Sequence, residues 1–270
     1  MNNCPILFTL IIIVTTQKGK KMINISKLYC GEKSSGDRIR YGQNFHGQSS
    51  TVSETIPAHA SERRPVTVWN ITRTCNLRCI HCYTDSRNKV YTGELTTEEG
   101  KVLLKDLADF NIPAILFSGG EPLMRHDLFE LVDYADSLGL RATLSTNGTL
   151  ITEDMAKKIK ESGFTYVGIS LDGIGEVNDR FRGSKGAFKE AVNGFKNCRS
   201  AGQKVGLRLT LTRHNYKELE NIFNFIEEED IERACFYHLA YSGRGRKISG
   251  DDLSHEETRN ALDIIIKRTE

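Results

Sequence analysis

Three features that would assign the chain at once to a membrane, a polyanion or a disulfide scaffold are missing. No apolar run reaches the roughly 20 residues that a helix needs to span a bilayer. The one candidate, residues 6–16 (Ile-Leu-Phe-Thr-Leu-Ile-Ile-Ile-Val-Thr-Thr), is too short and carries Lys18, Lys20 and Lys21 behind it. A signal peptide carries its positive charge in front. No stable membrane insertion is therefore expected. Net charge is also nearly absent: 37 Lys and Arg face 35 Asp and Glu, leaving +2. That gives no general affinity for nucleic acid, and any basic patch must be local. The cysteines number seven, an odd count, and are unevenly spaced with three clustered. This pattern suits a metal in a reducing cytoplasm better than a secreted disulfide framework. What remains is ordinary globular composition, 39% hydrophobic and 27% charged, in 270 residues. That length can bury a sizeable core in one domain, especially in an α/β barrel.

The clustered cysteines are Cys75, Cys79 and Cys82, a C-x3-C-x2-C run inside Thr-Cys-Asn-Leu-Arg-Cys-Ile-His-Cys-Tyr. Three thiolates this close can hold three corners of an iron–sulfur cube and leave the fourth iron open to a non-protein ligand. Two other readings stay open. The spacing also fits one face of an amphipathic helix, although Asn76, Arg78 and His81 are poor company for a buried face. Alternatively, His81 could complete a Cys3His zinc site.

Around this run the chain alternates. Residues 1–21 are expected to be an upstream extension from a mis-called start codon, with Met22 the natural opening, and residues 22–64 a polar approach segment holding an incidental Cys30. From Pro65 onward, strands are expected at Val66–Thr72, Ala114–Phe117, Arg141–Thr146, Tyr166–Leu171, Lys204–Leu211 and Arg233–Leu239. Helices open at the capping boxes Thr96/Glu99 and Ser254/Glu257, and at Asp127, Thr152, Ala187 and Asn215. Phe188, Ala191, Phe195 and Cys198 form one apolar stripe, so Cys198 reads as core, as does Cys235 within its strand. Alternating strands and helices predict a parallel sheet, with ligands at the carboxyl ends of the strands.

The cysteine run, followed by Gly119-Gly120-Glu121-Pro122, Ser145-Thr146-Asn147-Gly148 and Ile169-Ser170-Leu171-Asp172-Gly173, resembles the radical S-adenosylmethionine (SAM) superfamily. The resemblance implies a partial (β/α)6 TIM-like barrel over residues 65–270, a 4Fe–4S cluster on Cys75, Cys79 and Cys82, and SAM on its open iron. It implies SAM contacts from Gly119, Gly120, Glu121, Asn147 and Ser170. His81 stands where the family usually has an aromatic residue against adenine. The reaction implied is reductive cleavage of SAM to a 5′-deoxyadenosyl radical, with an electron donor such as ferredoxin or flavodoxin.

Basic residues recur beyond the expected strand ends: Arg125 and His126, Arg180 and Arg182, Arg213 and His214, Arg244 and Arg246. Solvated loop charge is the plain reading. A ring of them, with Arg125, His126, Arg182, Arg213 and Arg244 as substrate contacts, would suit a ligand bearing several carboxylates. A finer resemblance agrees. Residues 22–42, Trp69–Cys75, His81–Ser86 and Tyr237–Gly245 are similar to the NirJ and AhbC type of haem-biosynthesis enzymes. Those remove acetate or propionate side chains from the tetrapyrrole didecarboxysirohaem. Such enzymes continue into a C-terminal extension binding a second 4Fe–4S cluster, which this sequence does not show. A peptide-modifying maturase and a non-catalytic zinc-stabilised module are the alternatives.

Overall fold

A computed structural model describes residues 65–269 and the backbone of residues 12–17 and 20–23. Apart from those backbone stretches, the expected extension and approach segment, with Cys30, lie outside the described residues. Six strands make the parallel body of the sheet: β3 (Thr67–Thr72), β4 (Ile115–Gly119), β5 (Ala142–Thr146), β6 (Tyr166–Ser170), β7 (Val205–Leu211) and β8 (Arg233–His238). They lie side by side in chain order, each pair parallel. Two further strands, β1 (Ile12–Gln17) and β2 (Lys20–Ile23), extend the sheet antiparallel from the β8 edge. The expected six-strand partial barrel is present, and β1 falls within the stretch read as an upstream extension.

Helices α1 (Thr97–Asp109), α2 (Leu128–Ser137), α3 (Glu153–Glu161), α4 (Glu176–Arg182), α5 (Ala187–Ser200), α6 (Leu219–Glu228) and α7 (His255–Thr269) make the connections and the final cover. Their starts follow local chemistry. Thr96 caps α1 and Glu99 reaches back to the Thr96 N–H at 2.8 Å, so two otherwise orphaned donors are satisfied. Thr152 accepts from the Met155 N–H, and Ser254 and Glu257 form the box before α7. Asp127 precedes α2 as expected but makes no side-chain cap, because its carboxylate is held by Arg125 and Thr97. The unexpected helix is α4, in the polar stretch after β6.

The strands alternate in a way that decides the function of each face. Phe117, Leu144, Ile169, Leu207 and Phe236 are at most 2% exposed and belong to the one large apolar cluster with the helices. Each such side chain contributes about 2–3 kcal/mol by leaving water. The residues between them, Asn70, Ser118, Ser145, Ser170, Arg208 and Tyr237, face the other way and line a cavity. Complete TIM barrels fill this inner face with branched apolar side chains. Here polar side chains share it with Val68 and Leu116 and it is open, and Cys198 and Cys235 are buried as expected.

Candidate functional site

The cavity has a volume of about 600 Å³ and is bordered by the loop after β3, by Gly119 and Gly120 ending β4, by Asn147 after β5, and by β6 to β8. Cys75, Cys79, His81 and Cys82 all reach it. Each thiol has a donor aimed at it. Cys75 Sγ accepts from the Leu77 N–H at 3.4 Å, Cys79 Sγ from Arg182 Nη1 at 3.7 Å, and Cys82 Sγ lies 3.2 Å from the Thr84 hydroxyl and accepts from the Ser86 N–H at 3.4 Å. Burial pushes the Cys75 thiol up to about 12 and raises Cys79 as well. At Cys82 burial also pushes upward, but the Thr84 and Ser86 hydrogen bonds and the Arg244 charge outweigh it, and its pKa falls below the ordinary thiol value. Among the described residues, no three His, Cys, Asp or Glu side chains converge closely enough to hold a single metal ion. The three thiols border the cavity.

The loop is fixed from several sides. Gly120 donates to Thr72 O at 2.7 Å and Glu121 to Thr74 O at 2.9 Å. A Cβ on Gly119, at φ +137°, would lie 2.2 Å from Thr72 O, and one on Gly120 2.3 Å from Thr74 O. These glycines line the cavity, but the contact that forbids a side chain is with the cysteine loop's own backbone. Glu121 is fully buried and accepts from Thr146 Oγ1 at 2.7 Å, the Asn147 N–H at 2.7 Å and the Leu123 N–H at 3.2 Å. Both of its oxygens therefore have protein partners, and burial raises its pKa. Asn147 in turn donates to Asn76 Oδ1 at 2.8 Å and reaches within 4.0 Å of Cys75 Sγ. Ser170 lines the cavity from β6.

His81 packs on Phe181, with ring centroids 4.5 Å apart, and its Nε2 lies 3.7 Å from Asp172. Burial lowers its pKa to about 4 although Asp172 opposes this, so the ring is neutral near pH 7. Asp172 pairs with Arg182 and accepts from the Thr210 N–H at 2.8 Å.

The basic residues expected to ring the mouth divide sharply. Arg182 and Arg244 are buried and border the cavity. Arg244 donates from Nε to Cys79 O at 2.7 Å and from Nη1 to Asp85 and Ser86 O, both at 2.8 Å. Arg125 does not reach the cavity: its guanidinium pairs with Asp127 and donates to Ile71 O and Leu95 O. Arg213 pairs with Glu257 away from the cavity, and His126 is exposed outside it. The expected ring is thus not formed by these five, because three of them are tied or placed elsewhere. Residues not anticipated take their place on the wall: Arg208, Thr210, Tyr237 and His238. The signal for Arg208 and Thr210 was the alternation of β7, an apolar strand that they interrupt at every second position.

Buried polar atoms without partners cluster at the cysteine side: His81 Nδ1, Arg182 Nε and Arg244 Nη2. The unmet guanidinium N–H groups of Arg182 and Arg244 beside three thiols fit an anionic, acceptor-rich group, since each buried unsatisfied donor is costly until paired. A thiolate-bound iron–sulfur cluster with a carboxylate-bearing ligand is such a group.

Comparison with known proteins agrees with the geometry. The family model described as the Radical SAM superfamily matches residues 69–226. “Fe-coproporphyrin III synthase” of Methanosarcina barkeri is 53% identical over 92% of this chain and 61% of its own length. “Pre-heme d1 synthase” of Dinoroseobacter shibae is 45% identical over 76% of this chain and 51% of its own. The chain thus spans between about half and three fifths of these relatives. A solved structure titled “Native anSMEcpe with bound AdoMet and Cp18Cys peptide” shares the fold, with TM-score 0.63 and 22% identity over 75% of this chain and 58% of that one. On the strength of the family match and the first relative, the chain belongs to the radical SAM superfamily.

Proposed function

We propose that this chain is the core of an enzyme that removes side chains from a carboxylated iron tetrapyrrole of the didecarboxysirohaem type, on a route to haem or haem d1. The observation that carries it is the cysteine-bordered cavity at the strand ends, each thiol with its own donor, in a chain 53% and 45% identical to two tetrapyrrole enzymes. Cys75, Cys79 and Cys82 would hold a 4Fe–4S cluster. When bound and reduced by a donor such as ferredoxin or flavodoxin, that cluster supplies the electron for cleaving SAM to the 5′-deoxyadenosyl radical, which takes a hydrogen atom from substrate.

The chain's own residues do the rest. Hydrogen bonds to the sulfurs and the charges of Arg182 and Arg244 stabilise the thiolates and set the potential of what they bind. Glu121 locks the loop after β4 to that after β5, which keeps Gly119, Gly120 and Asn147 on the cavity wall, with Ser170 beside them as the remaining SAM contact. His81, neutral and wedged against Phe181, walls the cavity beside Asp172. No helix among the described residues is long and apolar enough to cross a membrane, and a reducing cytoplasm suits the thiols. A peptide-modifying role has weaker support: “Mycofactocin maturase MftC” of Mycolicibacterium smegmatis is 35% identical.

The test is anaerobic reconstitution with iron and sulfide, then dithionite and SAM. Release of 5′-deoxyadenosine is expected, together with loss of acetate or propionate mass from added didecarboxysirohaem. Release of 5′-deoxyadenosine with an unchanged tetrapyrrole would defeat the substrate assignment. No release from a loaded cluster would defeat the chemistry.

A further inference from the structure

Three arginines line the cavity, and two of them pair with protein carboxylates: Arg182 with Asp172, and Arg244 with Asp85, each keeping one unmet nitrogen at the cysteine side. Arg208 differs. It lies within β7, in register with Ser170 of β6 on one side and Cys235 of β8 on the other. Its stem runs across Gly168, where a Cβ would stand 2.5 Å from Arg208 Cδ, so the glycine makes room for the long side chain. Its guanidinium sits 5.1 Å from the centroid of the Tyr237 ring. The titratable groups that act on it are Tyr237, Cys235, Tyr166 and Tyr83, three phenols and a thiol. Among the described residues no carboxylate pairs with it. Next to it, the buried Tyr166 hydroxyl has no hydrogen-bond partner.

Arg208 is half-buried, and a guanidinium on a cavity wall with no carboxylate beside it is a ready partner for an anionic ligand. The aromatic face of Tyr237 holds the cation but does not neutralise it. We infer that Arg208 is the carboxylate anchor of this cavity, receiving an acetate or propionate side chain of the substrate through its planar fork of N–H donors. The geometry suits the role: Gly168 beneath and Tyr237 against the guanidinium fix its plane, and a fixed fork pairs bidentately with a carboxylate. The substrate would then be gripped from the β7–β8 side while the cysteine loop occupies the other wall. This inference rests on the tetrapyrrole reading and deepens it.

The experiment titrates the full chain, with its cluster reconstituted, against Fe-coproporphyrin III and against the tetramethyl ester of that compound, following the porphyrin absorption band. Wild type should bind the acid about tenfold or more tightly than the ester, in line with one charge-assisted pair. Arg208→Gln should lose that preference by weakening acid binding about tenfold with ester binding unchanged. Arg208→Lys, which keeps the charge but not the fork, should fall between. Cluster absorption and far-ultraviolet dichroism confirm that each variant is folded, and if the Gln variant does not fold, the Lys variant decides. SAM affinity, measured by equilibrium dialysis, should not change. A fall in SAM affinity would assign Arg208 to the cofactor's carboxylate and overturn the inference. So would equal losses for acid and ester, or no loss for either. If wild type binds neither porphyrin, the tetrapyrrole reading fails and the inference falls with it.

Discussion

The two walls of the cavity are built on opposite principles. On the β3–β6 side every charged group that reaches the cysteine loop has a protein partner: Glu121 with Thr146 and Asn147, Arg182 with Asp172, Arg244 with Asp85 and the Cys79 carbonyl. On the β7–β8 side Arg208 faces phenols and a thiol. The first wall is braced by its own ion pairs, with the unmet nitrogens of Arg182 and Arg244 left beside the thiols, whereas the second offers an arginine that has no carboxylate partner among the described residues. Paired arginines should therefore matter for stability and cofactor loading, and the unpaired one for affinity. Sites built for binding commonly give up stability in this way.

The largest effect expected concerns the cysteines. Replacing Cys75, Cys79 or Cys82 by Ala should abolish the visible absorption of the reconstituted cluster, whereas Cys198→Ala, in the apolar core of α5, should load normally; a normal spectrum from Cys79→Ala would break the assignment. Next comes Arg244→Met, which removes hydrogen bonds to Cys79 O, Ser86 O and Asp85. It should lower unfolding free energy by about 3 kcal/mol in denaturant titration, because charged groups contribute roughly 1.5–3 kcal/mol per hydrogen bond. An unchanged midpoint would mean that this wall is not self-supporting.

Asp127→Asn should cost less, about 2 kcal/mol at pH 7. The hydrogen bond and charge of Arg125 hold the Asp127 carboxyl at about 2. A depressed carboxyl stabilises the fold fully above the ordinary carboxylate value, and that contribution is lost as pH falls from about 4 toward 2. The gap between wild type and variant should accordingly narrow over that window in pH-dependent melts, with ligand affinity untouched at pH 7. The smallest change in stability is expected for Arg208→Gln. Because no ion pair is lost, its denaturation midpoint should match wild type or exceed it. A clear drop would show that Arg208 is structural and erase the contrast between the walls.

Much of the fold was legible because it is written in local chemistry. Capping boxes at Thr96/Glu99 and Ser254/Glu257 start helices wherever they occur, and β-rich runs ended by glycine make strands in any context. The short helix α4 was missed because its seven residues carry no apolar period, and it is held in place by Asp172 and the cysteine loop. Site residues were legible to the extent that they lie in one contiguous run. The loop's three thiols could be named from spacing alone. Arg125 and Arg213 could not be excluded from the mouth, because nothing in the sequence shows that Asp127 and Glu257 would take their guanidinium groups.

The sequence by itself determined the order of strands and helices, the three thiols, and the placement of the motifs at the ends of successive strands, since each of these depends on neighbours within a few residues. Only the tertiary structure decided what the polar side chains do. It turned Glu121 and the two glycines inward to brace the cysteine loop, and it left Arg208 facing the cavity. Charge pairing depends on which groups the fold brings within a few ångströms: Asp172 is taken by Arg182 and Asp179 by the Gly186 N–H, and neither pairs with Arg208.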